Sequence, residues 1–163
     1  MKQGLLLVIS GPSGVGKGTL CKALLEKHGD IMLSISETTR EPGPNDVHGI
    51  DYFFRSEEEF LRNIEKGHYL EWAKVFKNYY GTPKDFVLEK LKEGSHVLLE
   101  IDTKGAMQIK EAYPDGVFIF IAPPSLEELR NRIELRGRDS REQIEHRISM
   151  CGEEMKMMKE YDY

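Results

Sequence analysis

Gly11-Pro12-Ser13-Gly14-Val15-Gly16-Lys17-Gly18-Thr19 follows directly on the apolar run Leu5-Leu6-Leu7-Val8-Ile9. Glycine at 11, 14 and 16 lets the backbone take φ > 0 and come close to a ligand, so that consecutive N–H groups converge on an anion. A helix opening near Lys17 aims its unsatisfied N–H groups and positive dipole end at the same point. The Lys17 ammonium adds a mobile charge for β- and γ-phosphates. Gly11-x4-Gly16-Lys17 is the spacing of a phosphate-binding P-loop, in the strand-then-helix setting that the pattern requires. The bland alternative is a glycine-rich turn with no ligand. Position 18 is glycine where the pattern carries a hydroxyl, so Thr19 becomes the candidate Mg²⁺ ligand.

Other residues invite chemistry by their placement. Glu71, beside Trp72 in a partly apolar strand, is an odd place for a charge without a partner. Glu100 and Asp102 end the run Val97-Leu98-Leu99 at its carboxyl end, where open α/β sheets bind ligands. Asp102 also reads as a helix N-cap. No Ser-His-Asp or Cys-His constellation stands out. The sequence offers cations instead, at Lys17, Arg40, Arg132, Arg136 and Arg147, and arginine forks match phosphate oxygens bidentately. Arg132 and Arg136, four apart on one helix, equally fit a solvated salt-bridge face, and Arg40 a solvated loop.

The elements that must position these groups alternate. A buried strand is expected over 5–10, a helix over 17–28 closed by Gly29, and a short strand over 31–36. Residues 37–50 have no apolar period and form a long loop of the kind that carries function. Asp51-Tyr52-Phe53-Phe54 returns as a strand, and Ser56 with Glu59 makes a capping box for a helix ending at Gly67. A strand over 69–76 is expected to turn at Asn78-Tyr79-Tyr80-Gly81. Thr82-Pro83 reads as N-cap and N1 of a helix reaching Glu93. A strand over 97–101, a helix over 103–112 and a strand over 117–121 follow, then Pro123-Pro124. Ser125 with Glu128, and Ser140 with Gln143, open the last two helices. The alternation and the strands of four or five apolar residues predict an α/β fold with a parallel central sheet flanked by helices.

Composition sets limits. At 163 residues the chain suits one domain. A net charge of −5 argues against a general nucleic-acid binder. Two cysteines far apart, with no CxxC, suit a reduced cytoplasmic protein and make a structural zinc site improbable. The apolar run 5–9 is too short for a signal h-region or a membrane span.

The chain resembles the guanylate kinases over essentially its whole length. The motifs that carry the resemblance are GPSGVGKGT at 11–19, Thr38-Thr39-Arg40-x-Pro42, Gly49-x-Asp51-Tyr52-x-Phe54 and Glu71-Trp72-Ala73. Further on stand Asn78-Tyr79-Tyr80-Gly81-Thr82, Leu99-Glu100-Ile101-Asp102-x-x-Gly105, Phe120-Ile121-x-Pro123-Pro124-Ser125, and Arg136-Gly137 followed by Arg147. The resemblance implies a P-loop nucleoside-monophosphate kinase that moves the γ-phosphoryl of ATP to GMP with Mg²⁺. It implies a core of 1–33, 83–125 and 148–163, a GMP-binding insertion over 34–82, and a helical lid over 126–147 closing on ATP.

In that frame Arg40 meets the GMP phosphate, with Ser36, Tyr52 and Tyr80 as hydroxyl donors. Guanine presents N1–H and N2–H₂ donors and an O6 acceptor, so Glu71 is expected at the first edge and Thr82 at O6. Adenine has no N1–H and would leave Glu71 unpaired. Glu100 is expected to face the base, Asp102 to lie near magnesium and phosphates, and Arg132, Arg136 and Arg147 to hold the phosphates of ATP.

The sequence departs from the family in the loop after Arg40, at its end, and at Arg138, where the family more often has a small polar residue. A second arginine and a glutamate usually follow Arg40, where this chain has Gly43 and Asp46, so one phosphate clamp is missing; His48 and Arg55 are the cations available to substitute. The family continues past Tyr161-Asp162-Tyr163 with a strand and a helix, so the core sheet is expected to lack a strand here. Rival readings are a non-catalytic guanylate-kinase-like binding module, for which the intact P-loop is unfavourable, and a kinase for another monophosphate. A P-loop GTPase would want an Asn-Lys-x-Asp motif, which is absent.

Overall fold

The computed structural model describes residues 3–135, 137 and 140–163. In chain order, the elements are β1 (Leu6–Ser10), α1 (Lys17–Lys27), β2 (Ile31–Leu33), β3 (Glu37–Thr38), β4 (Phe53–Phe54), α2 (Glu57–Glu65) and β5 (Tyr69–Val75). There follow β6 (Asn78–Pro83), α3 (Lys84–Glu93), β7 (His96–Glu100), α4 (Thr103–Ala112), β8 (Val117–Phe120), α5 (Leu126–Leu135) and α6 (Arg141–Lys156).

Four strands make a fully parallel sheet in the order β2-β7-β1-β8. Their apolar runs are continuous because both faces are covered. Leu6, Val8, Val97 and Leu99 pack with Val87 and Leu91 of α3 and Ala106 and Ile109 of α4. Ile9 and Leu98, pointing the other way, meet Cys21, Leu24 and Leu25 of α1. The α/β fold read from the sequence is therefore the one observed, and it places the carboxyl ends of β1 and β7 side by side, with Ile9 opposite Glu100.

A second sheet, ordered β4-β3-β6-β5, lies within 37–83. Here the sequence reading needs correction. Asn78-Tyr79-Tyr80-Gly81 is not a turn but strand β6, paired antiparallel to β5. The turn is the two-residue connection Phe76-Lys77, with Phe76 in the left-handed region at φ 54°. An apolar aromatic there carries none of the glycine or asparagine signal expected of such hairpins. Thr82 is correspondingly a strand residue, and Pro83 rather than Thr82 is the N-cap of α3, without a side-chain cap. The strands expected over 31–36 and 51–54 shrink to 31–33 and 53–54, with β3 forming inside the expected loop.

The caps largely follow the sequence. Ser140 and Gln143 form the full reciprocal box at α6. Ser56 and Ser125 accept the Glu59 and Glu128 N–H groups, whereas the two glutamates turn to Arg55 and Arg132 instead of closing the box. At the β8 edge, Asp162 and Tyr163 donate to Phe118 O and Phe120 donates to Tyr163 O. The sheet edge expected to stand short of a strand is thus engaged by the last residues of the chain.

Candidate active site

The glycine loop lies at the carboxyl end of β1. Gly11, Gly14 and Gly16 all have positive φ (147°, 86° and 105°), as the spacing demanded. Gly16 is the N-cap of α1 and brings no side-chain oxygen to it, and the first turn holds no acidic residue. The opening N–H groups of α1 are therefore left to an anionic ligand. Lys17 Nζ donates to Gly11 O at 2.7 Å and Pro12 O at 3.1 Å, which folds the side chain back along the loop. Burial pulls the ammonium pKa below its ordinary value, while the carboxylates of Glu100, Glu154 and Asp102 push it back up. The Ser10 hydroxyl at the end of β1 shares its one proton between Ile101 O at 2.8 Å and Asp102 O at 3.1 Å, tying the start of the loop to the residues that follow β7.

Two arginines from the last two helices reach this loop. Arg132 Nη1 donates to Val15 O at 3.1 Å while its Nε binds Glu128. Of the two readings of Arg132, the salt bridge is seen, to Glu128, and the same guanidinium also touches the glycine loop. Arg147 Nη1 donates to Ser13 Oγ at 2.8 Å from 134 residues away. Arg136 and Arg138 lie outside the described residues.

The second group gathers on the β3–β6 sheet. The Arg40 guanidinium stands 5.3 Å from the Tyr52 ring centroid and 5.9 Å from that of Phe54, and Tyr52 meets Tyr80 edge-on at 5.9 Å. Burial, with Tyr80 and Glu100 nearby, raises the Tyr52 pKa to about 12, so its hydroxyl keeps its proton as a donor. Ser36, half-buried, precedes β3 and accepts the Phe53 N–H on its carbonyl. Asp46 accepts from Arg40 Nη2 and from the Gly43 N–H, both at 2.7 Å. The sequence treated Asp46 only as a departure; its part in fixing Arg40 emerges from the fold. His48 and Arg55, the available substitutes for the missing arginine, are engaged elsewhere. Arg55 pairs with buried Glu37 and with Glu59, and His48 Nδ1 accepts the Phe54 N–H.

Glu71 is 5 % exposed. Thr82, directly opposite it on β6, donates from Oγ1 to Glu71 Oε1 at 2.6 Å. Burial raises the Glu71 pKa to about 7, with Asp102 adding to the rise and Thr82 opposing it. Thr82 bonds this carboxylate through its hydroxyl and its backbone, and a carboxylate so poorly hydrated gains from each further N–H donor. Because a hydroxyl has one proton, Thr82 can reach a purine O6 only by giving up its bond to Glu71.

Glu100 lies against α1, with Lys17 and Cys21 as neighbours, and burial raises its pKa. Asp102 is the N-cap of α4: its Oδ1 accepts the Gly105 N–H at 2.7 Å, which leaves Oδ2 for another partner. Thr19 is exposed on the first turn of α1. Among the described residues no three His, Cys, Asp or Glu side chains gather as a metal cage. A carboxylate oxygen and a hydroxyl are ligands of the kind Mg²⁺ takes, and Mg²⁺ keeps several waters and binds largely through phosphates.

A parallel sheet with a glycine loop at the end of an inner strand, and arginines brought to it by a helical pair, defines a P-loop phosphotransferase of the nucleotide kinase type. The family model for guanylate kinase matches residues 3–163. The guanylate kinase of Caldanaerobacter subterraneus subsp. tengcongensis is 60 % identical over 162 residues, covering 99 % of this chain and 79 % of that protein. The guanylate kinase of Clostridioides difficile is 56 % identical, covering 100 % of this chain and 80 % of that one. The crystal structure of guanylate kinase from Anaplasma phagocytophilum superposes with a TM-score of 0.82 at 36 % identity, covering 100 % of this chain and 76 % of that one. The chain belongs to the guanylate kinase family.

Proposed function

We propose that this protein transfers the γ-phosphoryl group of ATP to GMP, and to dGMP, giving ADP and the corresponding diphosphate. The observation that carries the substrate assignment is the Glu71 carboxylate, buried and hydrogen-bonded to Thr82 on the facing strand. Guanine supplies N1–H and N2–H₂ at one edge. Adenine and the pyrimidine monophosphates lack that pair.

Within this reading residues 34–82 hold GMP, 126–147 close over ATP, and the rest forms the core. The glycine loop and the α1 N-terminus cradle the ATP phosphates, and Lys17 and the arginines at 132, 136 and 147 neutralise charge on the transferring group. Arg40, Ser36, Tyr52 and Tyr80 hold the GMP phosphate. The attacking atom is already a phosphate oxyanion, so no general base is required and catalysis rests on alignment and charge. Asp102 and Thr19 are the residues that would help hold Mg²⁺, which supplies charge neutralisation across the phosphates when bound. Two buried free thiols suit a reducing compartment, and we place the enzyme in the cytoplasm.

A coupled assay of ADP release with ATP, Mg²⁺ and GMP tests the assignment. Turnover with GMP and dGMP is expected; ATP binding without GMP-dependent turnover would instead support a non-catalytic module.

A further inference from the structure

Strand β5 is the outer strand of its sheet, so one edge of its backbone has no strand to pair with. At Trp72, next to Glu71, that edge is closed by a side chain from another element. Gln108 of α4 accepts the Trp72 N–H on Oε1 at 3.2 Å and donates from Nε2 to Trp72 O at 2.7 Å. One carboxamide thus imitates a neighbouring strand.

Gly105 lies three residues earlier, on the same face of α4. A Cβ there would overlap Glu71 Oε2, approach Glu71 Cδ at 3.0 Å, and lie 3.2 Å from Asp102 Oδ1. Only a glycine lets the first turn of α4 lie against the Glu71 carboxylate. Leu70, on the other side of Glu71, packs into the main core that includes Ala106 and Ile109 of α4. The strand therefore meets α4 at Glu71 and Trp72 and the main core at Leu70.

We infer that Gln108 and Gly105 are positioning residues for guanine selection: α4 fixes Glu71 through the Gln108 clamp on Trp72 and through the missing side chain at 105. This deepens the proposed function and rests on Glu71 being the carboxylate that meets guanine. The same docking excludes water from Glu71, in keeping with its raised pKa. Asp102, the N-cap of α4, also accepts the Ser10 hydroxyl on its carbonyl, which joins the start of this helix to the end of β1, where the glycine loop begins.

The test uses Gln108→Met, which keeps length and loses both hydrogen bonds, and Gly105→Ala as an independent second variant. KM for GMP, KM for ATP, kcat and the pH dependence of KM for GMP are measured on the full chain. Gln108→Met is expected to raise KM for GMP roughly three- to tenfold, the loss of two exposed hydrogen bonds. KM for ATP and kcat should stay within about twofold, and the acid limb of the GMP profile should move to lower pH as water reaches Glu71. Gly105→Ala should give a larger rise of the same kind, on the order of tenfold or more. If Glu71→Gln itself leaves KM for GMP unchanged, the Glu71 reading is what fails. If Glu71→Gln raises it while both α4 variants leave the KM and the acid limb in place, or lower kcat and both substrates' KM values alike, the positioning inference is overturned by itself.

Discussion

Thr82 Oγ1 donates to Glu71 Oε1 at 2.6 Å across the β5–β6 pair, and it is on this contact that the proposed selection of guanine rests. The pair is buried, which raises the Glu71 pKa to about 7. Guanine N–H donors stabilise the ionised form, so binding is linked to proton loss.

Accordingly, GMP binding near pH 6.5 should release protons, and KM for GMP should rise as pH falls below about 7. Calorimetry in buffers of different ionisation enthalpy measures the release. In Glu71→Gln the Glu71 share of it should vanish, and what remains reports the GMP phosphate's own titration.

The same shift has a stability consequence. The folded pKa of Glu71, about 7, lies above the ordinary glutamate value of 4.5. The folded state therefore holds the proton more tightly, and stability falls as pH rises from 4.5 towards 7. The ionised carboxylate costs the fold on the order of 3 kcal/mol above that window. Glu71→Gln should melt several degrees higher than the parent at pH 8 and no higher at pH 4.5 in a thermal melt.

Asp46 and Gly43 bear on phosphate affinity. Asp46 holds Arg40 at 2.7 Å, and a Cβ at Gly43 would lie 3.1 Å from Asp46 Oδ2 and 3.8 Å from Arg40 Nη1. Gly43→Arg should therefore place a second guanidinium beside the first and lower KM for GMP several-fold, by about 1 kcal/mol, with steeper salt dependence. Asp46→Ala should raise KM for GMP a few-fold and leave KM for ATP alone. Steady-state kinetics at two ionic strengths check both.

Arg132 and Arg147 reach the glycine loop from the last two helices. Replacing either with alanine should lower kcat by about 10²- to 10⁴-fold while changing KM for GMP little. Lysine should recover only a small part, because it lacks the bidentate fork. Single-turnover measurements separate this loss from slow product release.

Asp102→Asn divides two roles. Asparagine caps helices as well as aspartate does, so thermal stability should change by less than about 0.5 kcal/mol. If Asp102 also holds Mg²⁺, kcat should fall at least tenfold or the Mg²⁺ requirement rise. Unchanged activity across a Mg²⁺ titration would leave Asp102 as a cap alone.

The phosphate end of the site was legible because local sequence determines it. The glycines at 11, 14 and 16 need only a strand before and a helix after to form an anion cradle. The buried strands of the parallel sheet were likewise plain from continuous apolar runs. The β5–β6 hairpin was obscured by its turn: Phe76-Lys77 carries no turn chemistry, whereas Asn78-Tyr79-Tyr80-Gly81 resembles a turn yet pairs as a strand. That one error also hid the register placing Thr82 opposite Glu71. Asp46, Gly105 and Gln108 act through contacts between separate elements, and nothing in their local sequence marks which element they meet. Gly105 was visible in the motif that ends at 105, but its reason is the carboxylate lying across it.

The most direct test is the ratio of kcat/KM for GMP to that for AMP, measured in the same coupled assay for the parent and for Glu71→Gln. The parent should prefer GMP by roughly 10⁴-fold, because AMP offers the buried carboxylate neither the N1–H nor the N2–H₂ of guanine. The ratio should collapse by at least about 10²-fold in Glu71→Gln, whose amide can meet the adenine edge. A parent enzyme that turns over AMP as readily as GMP, or a ratio that survives the substitution, would contradict the account.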